Sequence, residues 1–246
     1  MVQAIQNNRK TMTRRTRGLD LINSDPDSFH YRNKSNDIEI WCFPIPADHK
    51  NPDDIWYRFS KKNNNSVDYI NICPYGIPRD ILWVKETFYA YGHWTTITEN
   101  GKSKRTFHDL TTDNHYLHQF AADWKPGKQA KFGELGWHKR PAIYMPKSIA
   151  RIWLENTGVT VERLNEISKQ DATSEGITEY AYGYWKNYLS TFSGGRPKTG
   201  IDFKSSIDSF KTLWQSINGP ESWDANPWVW VISFKVLSTT GKPGDI

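Results

Sequence analysis

The clearest hydrophobic periodicity lies near the end of the chain. Ile207, Phe210, Leu213, Trp214 and Ile217 recur at helical spacing. Ser205 and Ser206 are available as caps, and Asn218-Gly219-Pro220 makes a stop. Pro227 then opens a strand with Trp228, Trp230, Ile232, Phe234 and Val236 on one face. Earlier, Asp37–Phe43 alternates through Ile38, Ile40 and Cys42 and predicts a strand, while Ile55–Ser60 and Val67–Cys73 predict two more. A Cys73-Pro74-Tyr75-Gly76 turn precedes Asp80–Tyr91, a long strand carrying Ile81, Trp83, Thr87 and Tyr89. Ser148–Leu164 reads as a hairpin, with Ile152 and Leu154 before Asn156-Thr157-Gly158 and Val159 and Val161 after it. Val2–Asn8 predicts a short helix ending at Asn7-Asn8. Many strands, few helices and no strand–helix–strand alternation predict an α+β fold or a small barrel.

Polar stretches at Asn23–Asp37, Lys61–Ser66, Glu99–Arg105 and Ser193–Gly200 read as loops or insertions. None has the length or purity of a linker. One domain over 1–246 is therefore expected, with insertions near 18–70, 90–140 and 178–204.

Composition narrows the function classes. Charged residues make up 24% of the chain and hydrophobic ones 37%, and no run nears the ~18 apolar residues of a membrane span. Residues 1–10 lack the apolar stretch of a secretory signal. Cys42 and Cys73 are the only cysteines, too few for a disulfide framework, so a reducing cytoplasm is expected. Twelve Trp, twelve Tyr and eleven Phe stand beside a net charge of +5. That pairing suits stacking on bases and tracking phosphates, and equally suits an aromatic β-rich core under a mildly basic surface.

Two local constellations carry candidate chemistry. Arg9-Lys10-Thr11-Met12-Thr13-Arg14-Arg15-Thr16-Arg17 holds five basic residues in nine, the density of a phosphate-binding patch or of a solvated face. In an extended chain Lys10, Met12 and Arg14 face one way and Thr11, Thr13 and Arg15 the other. Lys10 and Thr13 meet only if the strand bends. In Ile167–Ile177, Ser168 and Asp171 have capping-box spacing and Gly176 is a natural stop. Glu175 then sits at a helix C-terminus, where the macrodipole disfavours a carboxylate by about 0.3–1 kcal/mol. His115, His118 and Asp113 could approach a metal, yet no dense ligand motif is present. No phosphate loop or nucleophile elbow occurs, and Gly194-Gly195 reads as a turn.

Four segments in order resemble an ASCH domain, a member of the PUA-like β-barrel superfamily. Asn8-Arg9-Lys10-Thr11-Met12-Thr13-Arg14 resembles the family's G-x-K-T-x-T-x-R motif, and Arg79–Thr87 resembles its G-D-x-L-x-V strand. Leu164–Ile177 resembles the helix ending in Glu, and Trp228–Phe234 the closing strand. They cover about a quarter of the chain, and Asn8 and Arg79 stand where the family often has Gly. The Cys-Pro-Tyr-Gly turn and the Ala225-Asn226-Pro227-Trp228 run also resemble ASCH-type proteins of bacteriophages. The resemblance implies an α+β PUA-like small mixed barrel flanked by short helices, with long loop insertions.

Among ASCH proteins, the bacterial N4-acetylcytidine amidohydrolases carry a Thr–Lys–Glu set that matches Thr13, Lys10 and Glu175. The resemblance thus implies hydrolysis of an N4-acyl amide to cytidine and an acid; no cofactor or metal is expected. Thr13 would attack the carbonyl, Lys10 would take its proton once neutral, and Glu175 would orient Lys10 or the amide. Arg14, Tyr75, Trp83, Glu86 and Trp94 are the candidates for holding a nucleoside. Trp83 and the closing-strand tryptophans have an alternative reading as core. A small-molecule nucleoside is the expected partner, with RNA possible and no obligatory protein partner. A non-catalytic RNA or modified-base binding module, and then a ribonuclease, remain the alternatives.

Overall fold

Strands dominate the structure, a computed structural model that describes residues 1–31, 56–61, 64–180, 183–189, 191–193, 196–198 and 203–244. In chain order the elements begin with α1 (Val2–Gln6), β1 (Met12–Arg15), α2 (Asp20–Asn23), β2 (Phe29–Tyr31), β3 (Trp56–Lys61) and β4 (Asn64–Ile72). There follow β5 (Ile81–Trp83), β6 (Phe88–Glu99), β7 (Lys102–Asp109), β8 (Gln119–Phe120), β9 (Gly136–Arg140) and β10 (Trp153–Arg163). The last elements are α3 (Lys169–Ser174), β11 (Thr191–Ser193), β12 (Arg196–Lys198), α4 (Ser206–Asn218) and β13 (Trp228–Ser238). Antiparallel sheets with few, short helices make this an α+β chain. Among the described residues no helix is long and apolar enough to cross a membrane.

The chain divides into two compact units. The first comprises Met1, Gln3–Ile81 and Glu155–Val236; the second comprises Val2, Leu82–Leu154 and Leu237–Ile246. In the first, β1 runs antiparallel to β13, with Met12 opposite Ser233 and Arg15 opposite Trp230. Ser205 caps α4 by accepting from the Asp208 N–H, and Gly219 ends it at φ +98°. The helix lays Phe210 and Trp214 on Leu164, Ile167, Ala172, Trp223, Val229 and Val231. β13 differs from the expected one-faced strand: Trp228 through Ile232 are all buried. Trp228 and Trp230 are accordingly core.

Several local expectations are overridden. Asn156-Thr157-Gly158 makes no hairpin turn but lies within the single eleven-residue strand β10. The Asn156 carbonyl accepts from the Arg79 N–H at 2.7 Å and its own N–H donates to Asp80 O at 2.9 Å. Ladder bonds thus hold turn-prone residues extended. Asp80–Tyr91 is not one strand, because residues 84–87 bond to scattered partners: Val84 N–H to Ile152 O, Thr87 O to Ala121 N–H. Residues 102–105, read as loop, belong to β7, because Asn100 (φ +50°) and Gly101 (φ +73°) form the tight β6–β7 connection. The strands predicted at Ile55–Ser60 and Val67–Cys73 correspond to β3 and β4. The one at Asp37–Phe43, with Cys42, and the Gly194-Gly195 turn lie outside the described residues.

Candidate active site

The site is assembled around the irregular start of β1. Lys10 precedes the strand and forms an isolated antiparallel bridge with Glu175, the residue that ends α3. Ser168 starts this helix by accepting from the Asp171 N–H at 3.0 Å, and Thr11 N–H donates to Ser174 O at 2.9 Å. Gly176 has φ +80°, and a Cβ there would lie 2.7 Å from Lys10 Cβ and 2.9 Å from Ala4 Cβ. Its glycine therefore serves two ends, stopping the helix and letting Lys10 approach Glu175.

Lys10 is 3% exposed and Glu175 5%. Lys10 Nζ donates to Glu175 Oε2 at 2.5 Å and to the Glu175 carbonyl at 2.9 Å. The other carboxylate oxygen accepts from Arg14 NH1 at 3.3 Å. Arg14, fully buried, also donates through Nε to Glu162 Oε1 at 2.7 Å and through NH2 to Asp171 Oδ2 at 3.4 Å. Glu175 is thus shared between two cations, while Arg14 is held by three carboxylates. Burial lowers the Lys10 pKa from its usual value; Glu175 opposes that shift, and Arg15 and Arg14 reinforce it. Burial raises the Glu162 carboxyl, with Arg14 opposing.

This cluster forms one wall of a cavity of about 350 Å³, within the range of small-molecule pockets. Tyr188, Phe210, Leu213 and Trp214 supply the apolar walls, and Arg15 also lines it. Arg15 donates to the Arg14 carbonyl at 2.8 Å. The cavity thus combines an apolar, partly aromatic lining with a buried Lys–Glu pair.

Of the residues expected from sequence, Lys10, Glu175 and Arg14 come together and the others do not join them. Thr13 lies on the opposite face of β1 from Arg14, opposite Ile232 in the ladder. Its Oγ1 is buried without a hydrogen-bond partner among the described residues, and Thr13 is not among the lining residues. No hydrogen bond joins Thr13 Oγ1 to Lys10 among the described residues. Tyr75 is half-buried, its hydroxyl pKa raised by burial, and does not line the cavity. Trp83, with Lys85 Nζ 5.3 Å from its ring, does not line it either.

Glu86 and Trp94 belong to the second unit and serve other ends. Glu86 is 2% exposed and receives both Arg151 Nε at 3.0 Å and NH2 at 2.8 Å, so its acceptors are already taken. The Trp94 ring carries the Arg140 guanidinium at 4.7 Å. His118 pairs with Asp109 at 2.9 Å, not with Asp113 and His115. Among the described residues no group of three or more ligating side chains is close enough to hold a metal. Cys73 is buried and its thiol is pushed up to about 11 by burial.

The residues missed were Tyr188, Phe210, Leu213 and Trp214. Three of these were visible as the apolar stripe of α4, but such a stripe reads the same whether it faces a core or a cavity. Comparison with protein-family models, with curated proteins and with solved structures finds no match to this chain.

Proposed function

We propose that this chain hydrolyses the N4-acyl amide of an N4-acylated cytosine nucleoside, releasing the nucleoside and a carboxylic acid, on a PUA-like fold of ASCH type. The observation that carries the reading is Lys10 Nζ at 2.5 Å from Glu175 Oε2 on the wall of an aromatic cavity. Tyr188, Phe210, Leu213 and Trp214 give the pyrimidine an apolar wall, and the buried pair handles the proton that the amide needs. The order of the motif-bearing elements supports the fold: β1, β5, the helix ending at Glu175, and β13 pairing back on β1.

The chemistry follows from which groups reach the cavity. Neutral Lys10 takes a proton from an attacking water, whose oxygen adds to the acyl carbon. When the C–N4 bond breaks, the same proton passes to the leaving nitrogen. Glu175 orients the amine and balances its charge while it holds the proton. This route does not use Thr13, whose hydroxyl does not line the cavity and has no hydrogen-bond partner among the described residues.

Ultraviolet-monitored hydrolysis of N4-acetylcytidine by wild type, Lys10→Met and Thr13→Ala tests the reading. Turnover by wild type, lost by about 10²–10⁴-fold in Lys10→Met and largely retained in Thr13→Ala, is expected. Absence of wild-type turnover across several acyl groups overturns the function. Loss of turnover in a folded Thr13→Ala overturns the water route and makes Thr13 the nucleophile.

A further inference from the structure

The positive charge of the chain is unevenly placed. Leu82–Leu154 holds eleven Lys and Arg against six Asp and Glu, a surplus equal to the whole chain's +5. The same segment contains thirteen Phe, Trp and Tyr. Within it, Trp94 stands opposite Phe107, and Thr96 opposite Arg105, in the β6–β7 ladder. Trp94, Phe107 and Arg105 therefore share one face of the hairpin.

On that face cations and rings alternate. Arg140 Cζ lies 4.3 Å from the Phe107 ring centre, 4.7 Å from Trp94 and 5.1 Å from Tyr144. Arg105 Cζ lies 5.1 Å from the Phe132 ring. The two outer rings are open, Phe132 at 53% and Tyr144 at 62% exposure. Gly92 makes room for the arrangement, since a Cβ there would run into the Phe107 ring and the His108 carbonyl.

Arg140 carries a charge that no carboxylate among the described residues pairs with. Its NH1 is buried and makes no hydrogen bond among the described residues. Asp109, whose charge it feels, is engaged by His118 at 2.9 Å and by Thr111 Oγ1 at 2.6 Å. A guanidinium held between rings, with no carboxylate among the described residues paired to it, keeps its charge available to a phosphate.

We propose that this face binds a single-stranded polynucleotide, with Arg140 and Arg105 meeting phosphates and Phe132 and Tyr144 stacking on bases. The alternation matches a strand's own alternation of charge and ring, whereas a duplex hides its base faces. An acidic peptide would satisfy the cations but has no use for the open rings. The inference is independent of the proposed hydrolysis, which uses none of these residues.

Fluorescence anisotropy of a short labelled oligouridylate, titrated with the full chain at several salt concentrations, tests it. Saturable binding that weakens linearly on a log–log salt plot is expected. Arg140→Gln and Arg105→Gln should each lower the salt slope by about one. Phe132→Ala and Tyr144→Ala should weaken binding roughly 5- to 150-fold at unchanged slope. Both rings are exposed, so these variants fold, and equal melting curves would check it. Lys10→Met should bind as wild type. Absence of saturable binding, equal affinity for a duplex or for heparin, or indifference to the ring variants each overturns the proposal.

Discussion

Each unit buries a glutamate, and the two are used differently. Glu86, in the second, is held by two nitrogens of Arg151, whose guanidinium also pairs with Asp123 and lies 4.1 Å from the Phe120 ring. That network is closed, because Arg cannot release its proton and both Glu86 oxygens are taken. Glu175, in the first, shares its oxygens between Lys10 and Arg14, and the Lys can release a proton. It also borders a cavity. Burial of a carboxylate therefore does not by itself mark a candidate site; a titratable partner and an adjoining cavity set Glu175 apart from Glu86.

The largest expected effect comes from cutting each network at its carboxylate. Glu175→Ala should destabilise the fold by about 3–5 kcal/mol near neutral pH, since it strands a buried charge, and should abolish amide turnover. Glu86→Ala should cost roughly 1–3 kcal/mol, because Arg151 keeps Asp123, and should leave turnover in the folded fraction intact. Denaturant melts at several pH values sharpen the contrast. The Glu175→Ala penalty should shrink as pH rises towards 10.5, because unpaired Lys10 sheds its proton, whereas the Glu86→Ala penalty should stay flat. Equal pH behaviour of the two variants would break the distinction.

A smaller effect is the pH dependence of the site in the intact protein. The folded pKa of Lys10 is lowered, so between that value and 10.5 the unfolded chain binds more protons. Stability contributed at Lys10 therefore rises with pH across that window and is lost as pH falls through the folded pKa. Turnover should rise with pH through the same point, as the neutral amine becomes available. A rate profile flat through the alkaline range would remove Lys10 as the base.

The legible parts of the sequence were those where local signals and packing agree. α4 had its stripe, its Ser205 cap and its Gly219 stop, and β13 its alternation. At Asn156-Thr157-Gly158 turn chemistry lost to the bonds from Arg79 and Asp80, partners about 76 positions away that no local pattern reveals. The Lys10–Glu175 pair spans 165 positions; it was reached only by likeness of ordered motifs. At Thr13 the strand alternation and the likeness pointed different ways, and in β1 Thr13 takes the face opposite Arg14 that the alternation predicts. Tyr188 and Trp214 offered no polar signal that could have marked them as cavity walls.

The acid side separates the units once more. Burial works to raise the Asp109 carboxyl, but hydrogen bonds from His118 and Thr111 prevail and hold it down to about 2. Its folded pKa lies below the ordinary 3.8, so the stability it lends is present above that value and lost as pH falls through about 2. The carboxylate is 43% exposed, which limits the contribution to about 1 kcal/mol or less after solvent screening. Acid melts of wild type and Asp109→Asn should therefore differ modestly at pH 5 and converge near pH 2. Amide turnover at neutral pH should not change. A turnover defect in Asp109→Asn would mean that the β6–β7 region contributes to catalysis, and the contrast between a closed network and a reactive one would no longer follow the division of the chain.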